Sequence, residues 1–417
     1  MVAEEFRLKK PTVILHMDGD AFFVACEVAK NPKLRGLPVV TGEERGIVSA
    51  LSYEAKALGI TRGMPIFRLK KEFPQVLVLP GDYECYARLS QAMFDIVRRY
   101  ADDVEEYSID ECFAELTGLD KPLYMSYRQI AERIKKEVTE ELGLSVSIGL
   151  APTKCLAKVA SKWQKPNGLT VIEKETAKEF LSKVSIGKIW GIGGQTSAFL
   201  REHHIETALD FVNQNIEWVR ENMAMPYQAI WHELNGTSVM EIDPNPKTEY
   251  SSVQKTRTFY PATNDRIFLL SQLSKHIEDA CRKVRRYSLV PKRVSFFVKT
   301  KEFRYHSFSS ELPIPSSSPE TIIAFVKKNF DKAWRRGVLY RTAGVTLFDL
   351  CSTAVTQGNL FGEVAEEEKF KVIHEQIDSL EEKLGKRVLY LASTHAAIKR
   401  KTIGTDPEDG DRHLLFL

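Results

Sequence analysis

A multidomain chain of mixed α/β (α+β) class is the fold this sequence predicts, and three observations carry that expectation. Its 417 residues exceed one small core and fit about two to four domains. From residue 13 to residue 150, strand-like and helix-like stretches alternate in a mixed order with hairpins. At Asp243-Pro244-Asn245-Pro246 each proline removes a donor and restricts its neighbour, so the chain reads as an extended linker, and a basic segment follows it.

Val13-Ile14-Leu15-His16-Met17 reads as a buried strand running into Asp18-Gly19-Asp20, which sets acidic groups at a strand end. Ala21 to Ala29 is helix-like and stops at Asn31-Pro32. Pro38-Val39-Val40 and Gly46 to Ser52 read as short strands, and Tyr53 to Leu58 as a helix ended by Gly59. Tyr86, Leu89, Met93, Ile96 and Val97 give Tyr83 to Tyr100 a helical period. Val104 to Leu116 is strand-like but broken at Ile109-Asp110-Glu111. Ser126 to Leu142 is an amphipathic helix, and Ser145 to Leu150 a strand. After Gly168 the texture is helical and small, with Gly191-Ile192-Gly193-Gly194 joining two short helices. From Ser251, strands at Thr256 to Tyr260, Arg293 to Lys299 and Gly344 to Leu350 alternate with helices at Arg266 to Tyr287 and Ser318 to Arg335. The stretch 351 to 417 is polar and charge-rich, with one weakly amphipathic helix at Phe370 to Leu384.

A composition of 43% hydrophobic and 28% charged residues is that of a globular chain, neither disordered nor membrane-embedded. No apolar run approaches the roughly 18 residues of a membrane span, and Glu4, Glu5, Arg7, Lys9 and Lys10 leave no secretory core, so a cytoplasmic location without membrane contact is expected. Cys26, Cys85, Cys112, Cys155, Cys281 and Cys351 form no C-x-x-C pair, which argues against zinc ribbons and disulfides and predicts buried free thiols. Net charge is only +3, but residues 250 to 350 hold 19 Lys+Arg against 8 Asp+Glu, or +11, leaving −8 elsewhere. A basic module of this kind suits either a nucleic-acid partner or a merely solvated face.

Two-metal phosphoryl transfer needs several carboxylates within a few ångströms, because hard oxygen ligands suit magnesium. Asp18 and the Asp110-Glu111 pair can supply them. Neighbours in a regular strand point to opposite faces, so Asp110 and Glu111 can share an ion only at a turn or bulge, which the break at 109 to 111 permits. Taken singly, each acid reads more readily as an ordinary surface group or cap than as a ligand.

Context separates these readings. His16-Met17-Asp18-Gly19-Asp20-Ala21-Phe22-Phe23-Val24-Ala25-Cys26-Glu27 and Tyr107-Ser108-Ile109-Asp110-Glu111-Cys112-Phe113 resemble the two metal-binding motifs of bacterial Y-family, translesion DNA polymerases. Ser52 to Ile60 and Lys162 to Gly168 (K-W-Q-K-P-N-G) resemble that family's triphosphate-contacting segments, in the family's order. The resemblance spans about residues 10 to 350. It implies a right-hand architecture: palm at 1–21 and 83–171, fingers at 22–82, thumb at 172–240, linker at 241–249, little finger at 250–350 and a tail at 351–417. It also implies that Asp18, Asp110 and Glu111, with the Gly19 carbonyl, hold two Mg2+ ions, and that Tyr53, Lys56 and Lys165 bind the dNTP triphosphate. Phe23 matches the aromatic steric gate that excludes a 2′-hydroxyl, while Phe22 reads as core.

Lys56 and Ser52 depart from the polymerase IV-like pattern, which has arginine and asparagine there. A lysine lacks the bidentate fork, and the E-A-K-A-L-G-I wording resembles the UmuC-like, polymerase V branch instead. Val184 to Leu200 resembles the family's helix-hairpin-helix, whose Gly191 and Gly193 let backbone N–H groups approach a phosphate. Arg257, Lys292, Arg293, Lys299, Lys301 and Arg304 are candidate contacts to primer-template DNA. Gln357-Gly358-Asn359-Leu360-Phe361 resembles the Q-x-x-L-F peptide that binds the replication sliding clamp (beta clamp), through Gln357, Leu360 and Phe361. The resemblance further allows polymerase V-type accessory or recombinase subunits as partners. It implies error-prone translesion synthesis by a DNA-directed DNA polymerase, and no further acidic cluster reads as a proofreading site. A catalytically silent DNA- and clamp-binding scaffold of the same fold is the alternative. A nucleotide cyclase, the third reading, leaves the basic module and the glycine turn without a purpose.

Overall fold

A computed structural model describes residues 12–245, 250–352, 363–384 and 389–399, which form two compact units on either side of residues 246–249. The first unit opens with β1 (Ile14–Gly19), α1 (Phe22–Lys30), β2 (Val39–Thr41), β3 (Ala50–Leu51), α2 (Tyr53–Ala57), α3 (Ile66–Glu72) and β4 (Leu77–Leu79). It continues with α4 (Tyr83–Arg98), β5 (Val104–Glu106), β6 (Glu111–Glu115), α5 (Asp120–Leu123), α6 (Tyr127–Leu142), β7 (Val146–Ala151), α7 (Lys154–Trp163) and β8 (Leu169–Val171). Five short helices close it: α8 (Ala177–Ser182), α9 (Gly194–Glu202), α10 (Ala208–Val212), α11 (Ile216–Asn222) and α12 (Met225–Leu234).

A five-stranded sheet of order β5-β6-β1-β7-β8 organises this unit, with β1 antiparallel to both neighbours. All six residues of β1 are buried, because both faces of the sheet are covered. Leu15 and Met17 join the core formed with Met93 and Val97 of α4 and Ile130 and Ile134 of α6. Ile14 joins the opposite core with Ala157 and Ala160 of α7. The helix starts follow local chemistry. Asp82 caps α4 through the Cys85 N–H at 3.1 Å, and Ser126 with Gln129 forms a capping box on α6. Gly149 lets α7 lie directly on β7: a Cβ there would stand 2.1 Å from the Ala157 carbonyl oxygen and 2.3 Å from the Ser161 nitrogen. A small sheet, β3-β2-β4, carries α2 and α3 over Val40, Val48, Ala55, Ile60, Ile66 and Leu69.

The second unit contains β9 (Ser252–Thr263), α13 (Arg266–Arg286), β10 (Leu289–Thr300), β11 (Tyr305–Glu311), α14 (Pro319–Asn329), β12 (Tyr340–Ser352), α15 (Glu363–Leu384) and α16 (His395–Lys399). Its antiparallel sheet, β11-β10-β12-β9, buries Val294, Phe296, Val298 and Val345 against Leu269, Leu273 and Ile277 of α13 and Ile322 and Val326 of α14. α15 is seated by ion pairs, Arg285 to Asp378 at 2.8 Å and Arg282 to Glu381 at 2.5 Å, and by His374 to Glu320 at 2.8 Å.

Several boundaries differ from the sequence expectation. The stretch from Gly46 to Ser52 yields only Ala50–Leu51 as strand, and the helix expected from Ser318 to Arg335 ends at Asn329 and continues as a 3-10 turn, Phe330–Lys332. The first of the two helices around the glycine cluster is also a single 3-10 turn, Ile186–Lys188. The helix expected from Phe370 starts earlier, at Glu363. All six cysteines are free; Cys85 and Cys351 are half-buried and the other four buried. Among the described residues, no helix is long and apolar enough to cross a membrane.

Candidate active site

The three carboxylates converge at one end of the main sheet. The register of β1 on β6 sets Asp18 opposite Glu111, and β5 and β6 are joined by a turn over residues 107 to 110. Asp110 occupies that turn, where its carbonyl accepts from the Gly19 N–H at 2.8 Å and its carboxylate accepts from the Ser108 hydroxyl at 2.6 Å. The turn therefore meets the condition for two sequence neighbours to face one place.

Two lysines balance this charge. The Lys165 ammonium lies on Asp18 Oδ1 and 3.7 Å from Asp20. The Lys158 ammonium donates to Glu111 Oε2 at 2.8 Å. Burial pushes the Asp18 carboxyl up to about 7 against the pull of Lys165, and the charges of Glu111 and Asp110 add to the rise. Burial acts in the same direction on Glu111, but hydrogen bonds from Lys158 and Asp18 outweigh it and hold that carboxyl below its ordinary value. Asp18, only 5% exposed, is thus short of positive charge, and a divalent cation relieves that condition. The donor set is all oxygen and fits magnesium. As arranged, no group of three carboxylate, imidazole or thiol side chains among the described residues is positioned to hold one ion, and Lys158 and Lys165 each pair with an oxygen of the cluster.

Tyr53 opens α2 and Lys56 lies in its last turn, and the N-cap Ser52 accepts from the Ala55 N–H at 3.1 Å. Burial and the carboxylates of Asp20 and Asp18 push the Tyr53 phenol well above its ordinary value, so its hydroxyl stays a donor facing them. The Lys56 ammonium lies 5.9 Å from the Tyr53 ring centroid. Phe23 is half-buried and stacked on Tyr86, with centroids 4.6 Å apart and planes at 15°, and Tyr83 meets its edge at 5.5 Å. Phe22 is buried in the core, as expected.

Sequence reasoning missed two residues. Asp20, 3% exposed, accepts from the hydroxyls of Ser145 at 2.8 Å and Ser147 at 2.9 Å and from the Asn167 N–H at 2.8 Å, tying the Lys165 loop to the sheet. Lys158, 4% exposed, sits among the rings of Tyr107, Trp190 and Phe113, with centroids at 4.0, 4.9 and 5.8 Å. The signal for it was present: Lys154, Lys158 and Lys162 recur every four residues on one helical face.

Gly193 and Gly194 begin α9 with nothing within 4 Å of where a Cβ would stand, and Gly191 takes φ +85°, so this backbone is open to approach. In the second unit Lys292, Lys301 and Arg304 are exposed, while Arg293 pairs with Asp349 at 2.5 Å. Arg257 alternates with the exposed Thr256 and Thr258 and shares its side of β9 with Val253, Lys255 and Phe259, the side that meets α13. Gln357, Leu360 and Phe361 lie outside the described residues.

Comparison with known proteins gives matches to a family model described as the impB/mucB/samB family over residues 17–162 and to its C-terminal domain over residues 250–360. A protein named DNA polymerase IV from Methanoculleus marisnigri is 34% identical over 74% of this chain and 87% of its own. Protein SamB from Salmonella typhimurium is 31% identical over 87% and 89%. DNA polymerase IV 1 from Bacillus subtilis is 29% identical over 95% and 96%. Among solved structures, a Y-family DNA polymerase chimera of Dbh and Dpo4 superposes with a TM-score of 0.68 at 22% identity, over 82% of this chain and 99% of that one. An insertion ternary complex of Dbh DNA polymerase gives 0.53 at 24% over the same shares. At these identities the solved structures establish the fold.

Proposed function

The chain belongs to the impB/mucB/samB family of Y-family translesion DNA polymerases, and from that premise we propose that Asp18, Asp110 and Glu111 are the metal-holding carboxylates of its nucleotidyl transfer. It is a DNA-directed DNA polymerase. The observation that carries the residue-level reading is the register of β1 on β6, with Asp18 opposite Glu111 and Asp110 in the adjoining turn.

Two magnesium ions at these carboxylates and the Gly19 carbonyl would lower the pKa of the primer 3′-hydroxyl and neutralise the triphosphate. The chain's own groups do the rest. Lys158 keeps Glu111 ionised and oriented from within its ring of aromatics. Lys165, beside Asp18, is placed to move to the triphosphate, where Tyr53 donates a hydrogen bond and Lys56 adds a second cation. Phe23 closes the sugar side. Residues 1–21 and 83–171 act as palm, 22–82 as fingers, 172–240 as thumb and 250–350 as little finger, with Gly191 and Gly193 and the basic strands gripping the duplex. The sliding clamp is the partner read from Gln357, Leu360 and Phe361, and the site of action is the cytoplasm. The UmuC-like wording around Lys56 and the SamB likeness support placement near the polymerase V branch.

Primer extension past an abasic site or bulky adduct tests this. The wild type should extend and the Asp110→Ala/Glu111→Ala variant should not. Full extension by the variant would sink the carboxylate assignment, and no extension by the wild type, with or without clamp, would favour the scaffold.

A further inference from the structure

The turn between β10 and β11 holds two large aromatics in the open. Phe303 and Tyr305 are each 60% exposed, although neither is needed by the core beneath. Phe303 takes φ +68°, a left-handed conformation unfavourable for a bulky side chain. The turn is nonetheless fixed: the Phe303 N–H donates to the Thr300 carbonyl at 3.0 Å, and the Thr300 N–H to the Arg304 carbonyl at 2.9 Å. Cations frame the rings. The Lys299 ammonium lies 5.0 Å from the Phe303 centroid and 4.6 Å from that of Tyr305, and the Arg341 guanidinium lies 4.4 Å from Phe303. Lys301 and Arg304 stand exposed beside them.

We propose that Phe303 and Tyr305 form a stacking platform for unpaired bases of single-stranded DNA, with the surrounding cations holding the strand's phosphates. This rests on the polymerase reading above, since a template presents unpaired bases. The charge excludes a basic partner: residues 299 to 305 carry Lys299, Lys301 and Arg304 against a single acid, Glu302, and Arg341 adds a cation over Phe303. Rigid, exposed rings interleaved with cations match a strand that offers both π-faces and phosphates. A duplex hides its π-faces, so the rings add little to duplex binding.

The test is anisotropy with the full-length protein and three labelled probes of equal length: oligothymidine, the same backbone made abasic, and a duplex. Wild type should prefer oligothymidine to the abasic strand. Phe303→Ala/Tyr305→Ala should weaken oligothymidine binding about tenfold or more, erase that preference and leave abasic and duplex binding unchanged. Phe303→Trp/Tyr305→Trp should retain the preference, which separates stacking from misfolding. Equal loss on all three probes, or no loss on any, overturns the platform; the second outcome leaves the patch to a protein partner. Extension of a primer across a one-nucleotide template overhang, assayed with the same variants, reads the polymerase activity separately. Failure of the wild type there counts against the activity, while the probe preference still decides the platform.

Discussion

Phe23 shows how much a single side chain owes to its neighbours. A ring can gate a sugar only if it cannot swing aside, and Phe23 is held by Tyr86 on one face and by the edge of Tyr83. Replacing it by alanine removes the proposed gate but leaves Phe22 in the core, so the loss of stability should be modest. The expected outcome for Phe23→Ala is ribonucleotide incorporation raised at least tenfold relative to deoxyribonucleotides, in single-nucleotide extension. Unchanged sugar choice would take Phe23 out of the site. Phe23 and the carboxylates stand out in the sequence because they sit in contiguous motifs. What Asp20 and Lys158 hold shows only in the fold, because their partners lie 125 to 147 and 47 residues away, although the four-residue spacing of Lys158 with its neighbouring lysines is visible in the sequence.

At the scale of elements, periodicity located β1, α4, α6 and α13, whose apolar positions repeat cleanly. It missed α7 and β11, for different reasons. α7 carries buried lysines in place of a plain polar face, and it lies on the sheet only because Gly149 has no side chain. In β11, Tyr305-His306-Ser307-Phe308-Ser309-Ser310-Glu311 has hydroxyls where a strand usually shows Val or Ile, and it forms an edge. The polar seam of α15 was equally hidden, and it carries a pH prediction. Burial would raise the Glu320 carboxyl, but hydrogen bonds from His374 and Ser318 outweigh it and hold it below the ordinary 4.5. A depressed carboxyl contributes stability that is fully present above 4.5 and is lost as pH falls through its lower folded value. Amide exchange over residues 372 to 384, corrected for intrinsic rates, should therefore accelerate as pH falls below 4.5. Glu320→Gln should remove that acid-dependent part. An identical acid response in the variant would exclude Glu320 as its source.

Over the whole molecule, charge separates what the two units do. Under the proposed function, the excess of +11 over residues 250 to 350 supplies a grip on DNA that is strong at low salt and independent of sequence, and such a grip falls steeply as salt rises. An enzyme held to its template only by such contacts leaves after few additions at physiological salt. A second, salt-tolerant tether removes that limit, because a weak peptide contact becomes effectively intramolecular once the DNA is bound. Gln357, Leu360 and Phe361, which follow β12 in sequence and precede α15, are the contact proposed for this role. Two apolar side chains and a glutamine filling a preformed pocket depend little on ionic strength, unlike the basic strands. Replacing the three by alanine should leave synthesis without clamp unchanged at every salt concentration. With clamp, the wild type should keep making long products at about 150 mM salt, while the triple variant should fall back to its unassisted product length. Equal stimulation of both proteins, read as product length on a primed single-stranded circle, would leave the peptide without this role and require the tether to be sought elsewhere in the chain.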